Sequence, residues 1–375
     1  MTIAPVRVVA AEASLGEHRA AWDALVERAP LPSPFLRSWW LEHTCRGEPI
    51  FVLLIEGGAL VGGLALQERT TFGLLRIELM GSGPLAPDHL DVVAEPGREG
   101  DVAAAVHDWL ADRNAGVVDF LGLAEQAHAA GCIDHVTAQL VDERAPYLEL
   151  PADWATLLTS RSSRVRNTVK RTAKRLARDG VTHRTLGADD ADTALDDLER
   201  LHRERWGAES SFLGEYARFR AAAAEGMARG ELVVHELVAP DGPIASMAIM
   251  HVGGRASFYQ SGRSTDPRWR GAGTIVFTDA IEAAIAAGCT EFDLLRGGET
   301  YKADWSSGER DVVRIIGSTG RRRIPARALG ATVAGRRWLR PHVRHAQDLA
   351  RQARARLSGK RGTDAAPAST NGSST

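Results

Sequence analysis

Two stretches of this chain read alike, and that repeat is what most limits how it can fold. The first, IFVLLIEGGALVGGLALQERTTFGLLRIELMG from Ile50, and the second, ELVVHELVAPDGPIASMAIMHVGGRASFYQSG from Glu231, are runs of β-rich segments broken by a glycine-containing turn, as in an antiparallel meander. An alanine-rich amphipathic segment follows each, and then a short apolar strand. These are DVAAAVHDWLADR and GVVDFLGL in the first half, TIVFTDAIEAAIAAG and CTEFDLLRG in the second. Asp119 and Asp293 fall at matching places 174 residues apart, and Gly62 and Ala245 match at an offset of 183. One order of elements occurring twice predicts a tandem duplication of a single α/β (α+β, mixed-sheet) domain of about 150 residues.

Helices flank each predicted sheet. SLGEHRAAWDALVERA puts Leu15, Trp22, Leu25 and Val26 on one face before Pro30, Pro32 and Pro34 interrupt it. In the second half DADTALDDLERLHRERW carries Leu195, Leu198, Leu201 and Trp206 at helical spacing, so Trp206 is expected in the core; its acidic start and basic end complement a helix dipole. EYARFRAAAAEGMARG stops at Gly230, a C′ glycine. Between the halves, a helix with a narrow stripe of Val165, Val169, Ala173 and Leu176 exposes Arg161, Arg164, Arg166, Lys170, Arg171, Lys174, Arg175 and Arg178. The expected organisation is a first domain over 1–150, a basic linker helix over 151–180, a second domain over 181–320, and a basic helical tail with a polar, disordered end over 321–375.

Composition excludes several classes. With 44% hydrophobic and 25% charged residues the chain is globular. Three widely spaced cysteines, Cys45, Cys132 and Cys289, make neither a disulfide framework nor a zinc cluster. No basic n-region precedes the short apolar run at the N-terminus, and no apolar stretch reaches ~18 residues, so the expected location is cytoplasmic. The net charge of −2 conceals a tail of 13 Lys or Arg against Asp348 and Asp364. A weakly apolar face of Val343, Ala346, Ala350, Ala353 and Leu357 on that tail suits either weak contact with an anionic membrane surface, peripheral to the inner face, or docking on the acidic body.

The chemistry-bearing string is FYQSGRSTDPRWRGAGTIVFTDAIEAAIAAGCTEFDLLRGGETYKADW. A strand runs into a loop holding Arg268, Gly271 and Gly273 as R-x-x-G-x-G, and a helix starts near Thr274. Small residues allow close backbone approach, the first helical amides are unpaired donors, and Arg268 and Arg270 add charge; together they suit a pyrophosphate.

This loop resembles the [QR]-x-x-G-x-[GA] motif of the GNAT acyltransferases. The resemblance implies that Arg268, Arg270, Gly271, Ala272, Gly273 and Thr274 hold the pyrophosphate of coenzyme A, and that the strand Tyr259, Gln260, Ser261 and Gly262 pairs with its pantetheine arm. The close FDLLRGGETYKADW, with LHRERWG and the basic helix, is similar to a tandem-GNAT branch that includes cellulose-biosynthesis-type acetyltransferases and lies near the Fem peptidyltransferases. The fold so implied is a tandem duplicated GNAT N-acyltransferase. The matching stretch of the first half, GSGPLAPDHLDVVAEPG, lacks the loop motif, so a single acyl-CoA site is expected, in the second half.

Acyl transfer from acyl-CoA, acetyl-CoA above all, to an amine needs a base for the amine and an acid for the departing thiolate. Asp293 is the candidate base, or else a carboxylate that caps a turn or pairs with Arg296. Tyr301 is the candidate acid, or else a core tyrosine. His202, Arg205, Trp206, Arg296 and Lys302 are candidates for binding the acceptor, while Glu299 is expected in solvent. No metal is expected. The resemblance implies an amine on a sugar or cell-envelope precursor. Two rivals stay open: a Fem-like transferase using aminoacyl-tRNA, and a non-catalytic binding protein. A single basic helix together with a pyrophosphate-type loop favours acyl-CoA over nucleic acid.

Overall fold

The structure, a computed structural model, describes residues 7–71, 74–113, 115–297, 299–319 and 323–335. The part of the basic tail beyond 335, with its expected amphipathic face, lies outside the described residues. The strands are β1 (Arg7–Glu12), β2 (Glu48–Glu56), β3 (Ala59–Thr71), β4 (Leu74–Leu79), β5 (Val93–Ala94), β6 (Val117–Leu123), β7 (His135–Glu149), β8 (Thr182–Leu186), β9 (Leu232–Ala239), β10 (Gly242–Val252), β11 (Arg255–Arg263), β12 (Glu291–Asp293) and β13 (Gly308–Ser318). The helices are α1 (Arg19–Glu27), α2 (Ser38–Thr44), α3 (Glu99–Arg113), α4 (Trp154–Ser160), α5 (Ser163–Arg178), α6 (Ala191–Trp206), α7 (Ser211–Gly214), α8 (Tyr216–Ala228), α9 (Ala272–Ala286) and α10 (Thr300–Ala303).

The repeat predicted from sequence is present, down to its irregularities. One mixed sheet runs β1-β2-β3-β4-β6-β13-β7-β12-β11-β10-β9-β8. Along it, only β4–β6 and β11–β12 are parallel, and each of these contacts spans three residue pairs. An extra residue bulges out of β3 at Val61, next to Gly62, and out of β10 at Ile244, next to Ala245. Gly62 is a glycine for a local reason: a Cβ there would run into the backbone of Val93, on the short strand β5 that pairs with β3.

The two copies exchange their last strands. β13 closes the first sheet against β6, and β7 closes the second against β12. β7 and β13 then pair with each other from Gly308↔Tyr147 to Ser318↔His135, fusing the two sheets. The boundary expected at residue 150 therefore falls just after a strand that belongs to the second sheet. Helices α4 and α5 precede the second copy; among the described residues no equivalent pair precedes β1.

The halves are joined by packing as well. One apolar core extends from Trp22, Trp39 and Trp40 of the first half to Leu198, Phe219 and Tyr259 of the second. Trp39 Nε1 donates to Glu231 Oε2 at 2.6 Å, and Arg37 Nε to the same oxygen at 2.8 Å. A second core lies between β10–β12 and α9, with Val165, Val169 and Leu176 of α5 packed against it.

Because β6 and β7 both bond to β13, a chain ending at residue 305 exposes unpaired backbone in the middle of the sheet. It is expected to lose both halves together: urea unfolding of the truncated chain shows no cooperative transition, and limited proteolysis leaves no stable fragment of the first half.

Candidate active site

The site begins where two strands part. β11 and β12 pair only over Arg255–Ser257 and Glu291–Asp293. From Phe258 to Arg263, β11 keeps β10 on one edge, while its other edge faces a cleft. Tyr259 is an extra residue in the β10–β11 ladder, bulging between Phe258 and Gln260.

Helix α9 starts at the mouth of this cleft. Gly271 is its N-cap, in the left-handed region at φ 90°, and a Cβ there would sit 2.8 Å from Thr172 Cγ2 on α5. Thr274 N and Ile275 N both donate to Gly271 O, so the amides of Ala272 and Gly273 precede the first intrahelical bond. Arg175 of α5 holds the loop from outside, donating to Arg268 O at 2.7 Å and to Arg270 O.

Two cavities meet here. The inner one, about 360 Å³, lies between α5, β11 and α9; Ser261, Gly262, Arg270, Gly271, Gly273 and Thr274 line it. The other, about 450 Å³, is lined by His202, Trp206, Ser210, Gln260, Arg296 and Lys302 among others. Arg205, Phe258, Ser261 and Tyr301 line both.

The residues singled out from sequence thus converge, with corrections. Arg268 lies outside the inner cavity: its exposed side chain pairs with Asp266 at 2.8 Å, and it lines an open outer groove with Arg171, Arg175 and Arg270. The Tyr259 ring turns away from the cleft into the core between the halves, where its hydroxyl donates to Leu85 O at 2.9 Å; only its backbone serves the site. Ala272 is buried, so its contribution is likewise an amide. Trp206 is not in the core: it is 51% exposed at the rim of the second cavity, with the Arg205 guanidinium 4.4 Å from its ring centre.

Asp293 does not have a base's surroundings. It is 0% exposed. Arg255 Nη2 donates to its Oδ2 at 2.7 Å, His89 Nε2 lies 2.9 Å from the same oxygen, and Leu295 N donates to Oδ1 at 2.8 Å. Burial alone would raise its carboxyl; His89, Arg255 and the Leu295 amide overcome that and hold it well below the usual carboxylate range. The first half repeats the device: Asp119 is paired with Arg76 and, at 2.6 Å, with Arg314, and Arg76 and Arg255 occupy the same register on β4 and β11. Asp293 is a buried anchor. The pairing with Arg296 weighed from sequence does not form; Arg296 bonds Asp88 through its backbone N at 2.8 Å and through Nε, reaches Pro87 O at 2.7 Å, and pairs with Asp142 at 3.2 Å. Lys302 Nζ donates to Leu295 O and Arg296 O and pairs with Glu299, whose side chain is partly exposed. Both cations brace the cavity wall and have little capacity left for a ligand.

Tyr301 and Arg205 stand where the two cavities join. Burial, reinforced by Glu299 and opposed by Arg205, raises the Tyr301 phenol above its ordinary value, so it is protonated at neutral pH. Arg205 donates to Ser261 Oγ at 3.1 Å, and its pKa is lowered by burial and by Arg263.

The first half, expected to help close the cleft, does so through one loop. β4 and β6 also part after Glu78 and Asp119, but that cleft is filled by the chain itself: Leu90 N donates to Gly122 O at 2.8 Å and Ala124 N to Leu90 O at 3.0 Å. The same loop crosses to the second half, where Pro84 lines the second cavity and Leu85, Asp88 and His89 bind Tyr259, Arg296 and Asp293. Nothing in the string GSGPLAPDHLDVV signals this, because each contact is long-range.

Asp293→Asn should therefore lower stability by about 3 kcal/mol, read as a fall in the urea midpoint. Because the folded carboxyl is depressed, its contribution is full above the unfolded pKa near 4 and fades below it. The gap between wild type and variant is expected to narrow as pH falls below about 4.

Comparison with known proteins agrees with this architecture. Residues 163–303 match the family model Acetyltransf_6, described as an acetyltransferase (GNAT) domain. No curated protein matches the chain by sequence. Among solved structures, FemX superposes with a TM-score of 0.59 at 11% identity, covering 79% of this chain and 95% of its own. A conserved protein of unknown function from Bacteroides thetaiotaomicron gives 0.57 at 10% identity, covering 84% and 100%. L-PGS from Bacillus licheniformis gives 0.54 at 14%, covering 84% and 95%. At such identities the likeness is one of fold. Among the described residues no helix is long and apolar enough to cross a membrane. The second half of the chain thus matches a GNAT acetyltransferase domain model and has the GNAT fold, and the first half is a further copy of that fold.

Proposed function

We propose that this chain is an N-acyltransferase that moves an acyl group, acetyl in the first instance, from acyl-CoA to an amine. One observation carries the reading: the cleft where β11 and β12 part opens onto the unbonded first-turn amides of α9. A pantetheine arm is an extended chain with two amides, and the edge of Phe258 to Arg263 that no strand pairs with offers it strand-like hydrogen bonds, apart from Ser261 O, which His202 approaches. The amides at Ala272 and Gly273, the partial positive charge of the helix start and Arg270 suit the pyrophosphate. The thioester then reaches the boundary between the cavities, beside Arg205 and Tyr301, and the amine enters from the second cavity.

In this scheme the amine attacks the thioester carbonyl, the C–S bond breaks, and the thiolate takes the Tyr301 proton. Holding the two reactants together contributes up to ~7–11 kcal/mol, more than one acid group, which contributes roughly 10²–10⁴-fold. The acceptor class carried over from the resemblance is an amine on a sugar or cell-envelope precursor.

Calorimetry with acetyl-CoA is expected to show binding to the wild type. Gly271→Val combines a forbidden φ with contact against Thr172, and should bind no acetyl-CoA while its unfolding transition is retained. No binding to the wild type at millimolar acetyl-CoA overturns the donor assignment, and salt-sensitive binding of aminoacyl-tRNA instead would favour the peptidyltransferase rival. Tyr301→Phe should lower kcat about 10²-fold with acetyl-CoA affinity unchanged; equal turnover would reduce Tyr301 to a packing residue.

A further inference from the structure

With Asp293 locked in its ion pairs, the acceptor amine needs another route for its proton. His202 projects from α6 toward the second cavity and is almost wholly buried. Its Nδ1 lies 3.1 Å from Ser261 O, and its Nε2 lies 3.0 Å from Ser210 Oγ. A carbonyl only accepts, so Nδ1 must carry the hydrogen. In the neutral ring Nε2 then presents its lone pair to Ser210, whose hydroxyl must donate.

The ring is enclosed by Phe212, 4.7 Å between centres, and Trp206, 6.4 Å. Burial, opposed by the Ser261 carbonyl and aided by Arg205, lowers its pKa below the ordinary 6.5, so it is a free base at neutral pH. The charged and titratable groups around it are Arg205 on its own helix and Glu209, Glu299, Tyr301, Arg296 and Lys302 around the cavity; among the described residues no carboxylate is bonded to the ring. A Gly262 Cβ would collide with the backbone of Leu201 and His202, so this glycine is what lets α6 seat the imidazole against β11. Ser210, half-buried, lines the cavity alongside Tyr301.

We infer that Ser210 and His202 form a two-step proton relay serving the acceptor amine, with Ser210 touching the substrate and His202 positioned behind it as the proton store. This rests on the acyl-transfer reading above. As the new C–N bond forms, the nitrogen gives a proton to Ser210 Oγ, and the serine's own proton passes to His202 Nε2. The C–S bond breaks and the thiolate takes the Tyr301 proton. His202 then releases its proton to water and Tyr301 regains one, so no other reactant is needed. Ser210 is a conduit and is not itself acylated.

The test compares wild type, Ser210→Ala and Ser210→Thr, following thiol release from acetyl-CoA with glucosamine as the probe amine across pH 5–9. Wild-type kcat should rise with pH through a group titrating below 6.5, because the relay needs neutral His202. Ser210→Ala is expected to lose about 10²-fold in kcat and to lose that acid limb, with acetyl-CoA affinity by calorimetry unchanged; Ser210→Thr, which keeps a hydroxyl, should restore most of the rate. Wild-type kinetics in Ser210→Ala, or an acetyl group found on Ser210 by mass spectrometry, overturns the relay. If neither protein binds acetyl-CoA, the donor assignment fails, and nitrogen-15 NMR of the imidazole judges the relay separately: an Nδ1–H tautomer at pH 7 that responds to Ser210→Ala supports it, and an Nε2–H tautomer overturns it.

Discussion

The exchange of β7 and β13 between the two copies is the constraint on which the rest of this structure depends. Each copy lacks its own closing strand and takes the other's, so the backbone hydrogen bonds of β6 and β12 are completed only when both copies are folded. The direct pairing of β7 with β13 then fixes the halves in one orientation. Everything at the site that crosses between the halves inherits that fixed geometry: Tyr259 to Leu85, Arg296 to Asp88, and His89 against Asp293.

Within this near-symmetric frame the two copies do different work. Both have a parallel strand pair that separates after three residues, and both anchor the separation point with an Arg–Asp pair, Arg76–Asp119 in one and Arg255–Asp293 in the other. In the first copy the cleft is closed by Leu90 bonding to Gly122 and Ala124. In the second it stays open toward α9. The loop that occupies the first cleft also supplies part of the second cavity's wall, so the filling of one cleft and the shaping of the other half's cavity come from the same segment.

The electrostatics sort the ionisable groups by task. Asp293, Arg296 and Lys302 have their bonding capacity taken up by neighbours, and burial makes such pairs costly to break, which suits scaffolding. Tyr301 and His202, both held neutral by burial, border the cavities. Arg205 stands between them with only Ser261 and the Trp206 ring as partners in the observed contacts, a cation at the place where the two cavities join.

The sequence by itself determined the duplicated order of elements, because hydrophobic period and turn residues are local properties. It also determined the R-x-x-G-x-G loop at the start of α9, since the left-handed φ at Gly271 and the unpaired first-turn amides follow from residue type and position. It placed Asp119 and Asp293 as equivalents. It left open whether Asp293 was base or anchor, and it put Trp206 in the core, because helical spacing marks a face but not what covers it. Only the tertiary structure decided the strand exchange, the plugging of the first cleft, and the meeting of His89, Arg255 and Asp293, residues far apart in the chain. Burial is what turned that carboxylate into an anchor and left His202 and Tyr301 neutral, and burial is a property of the assembled fold that no local run of residues carries.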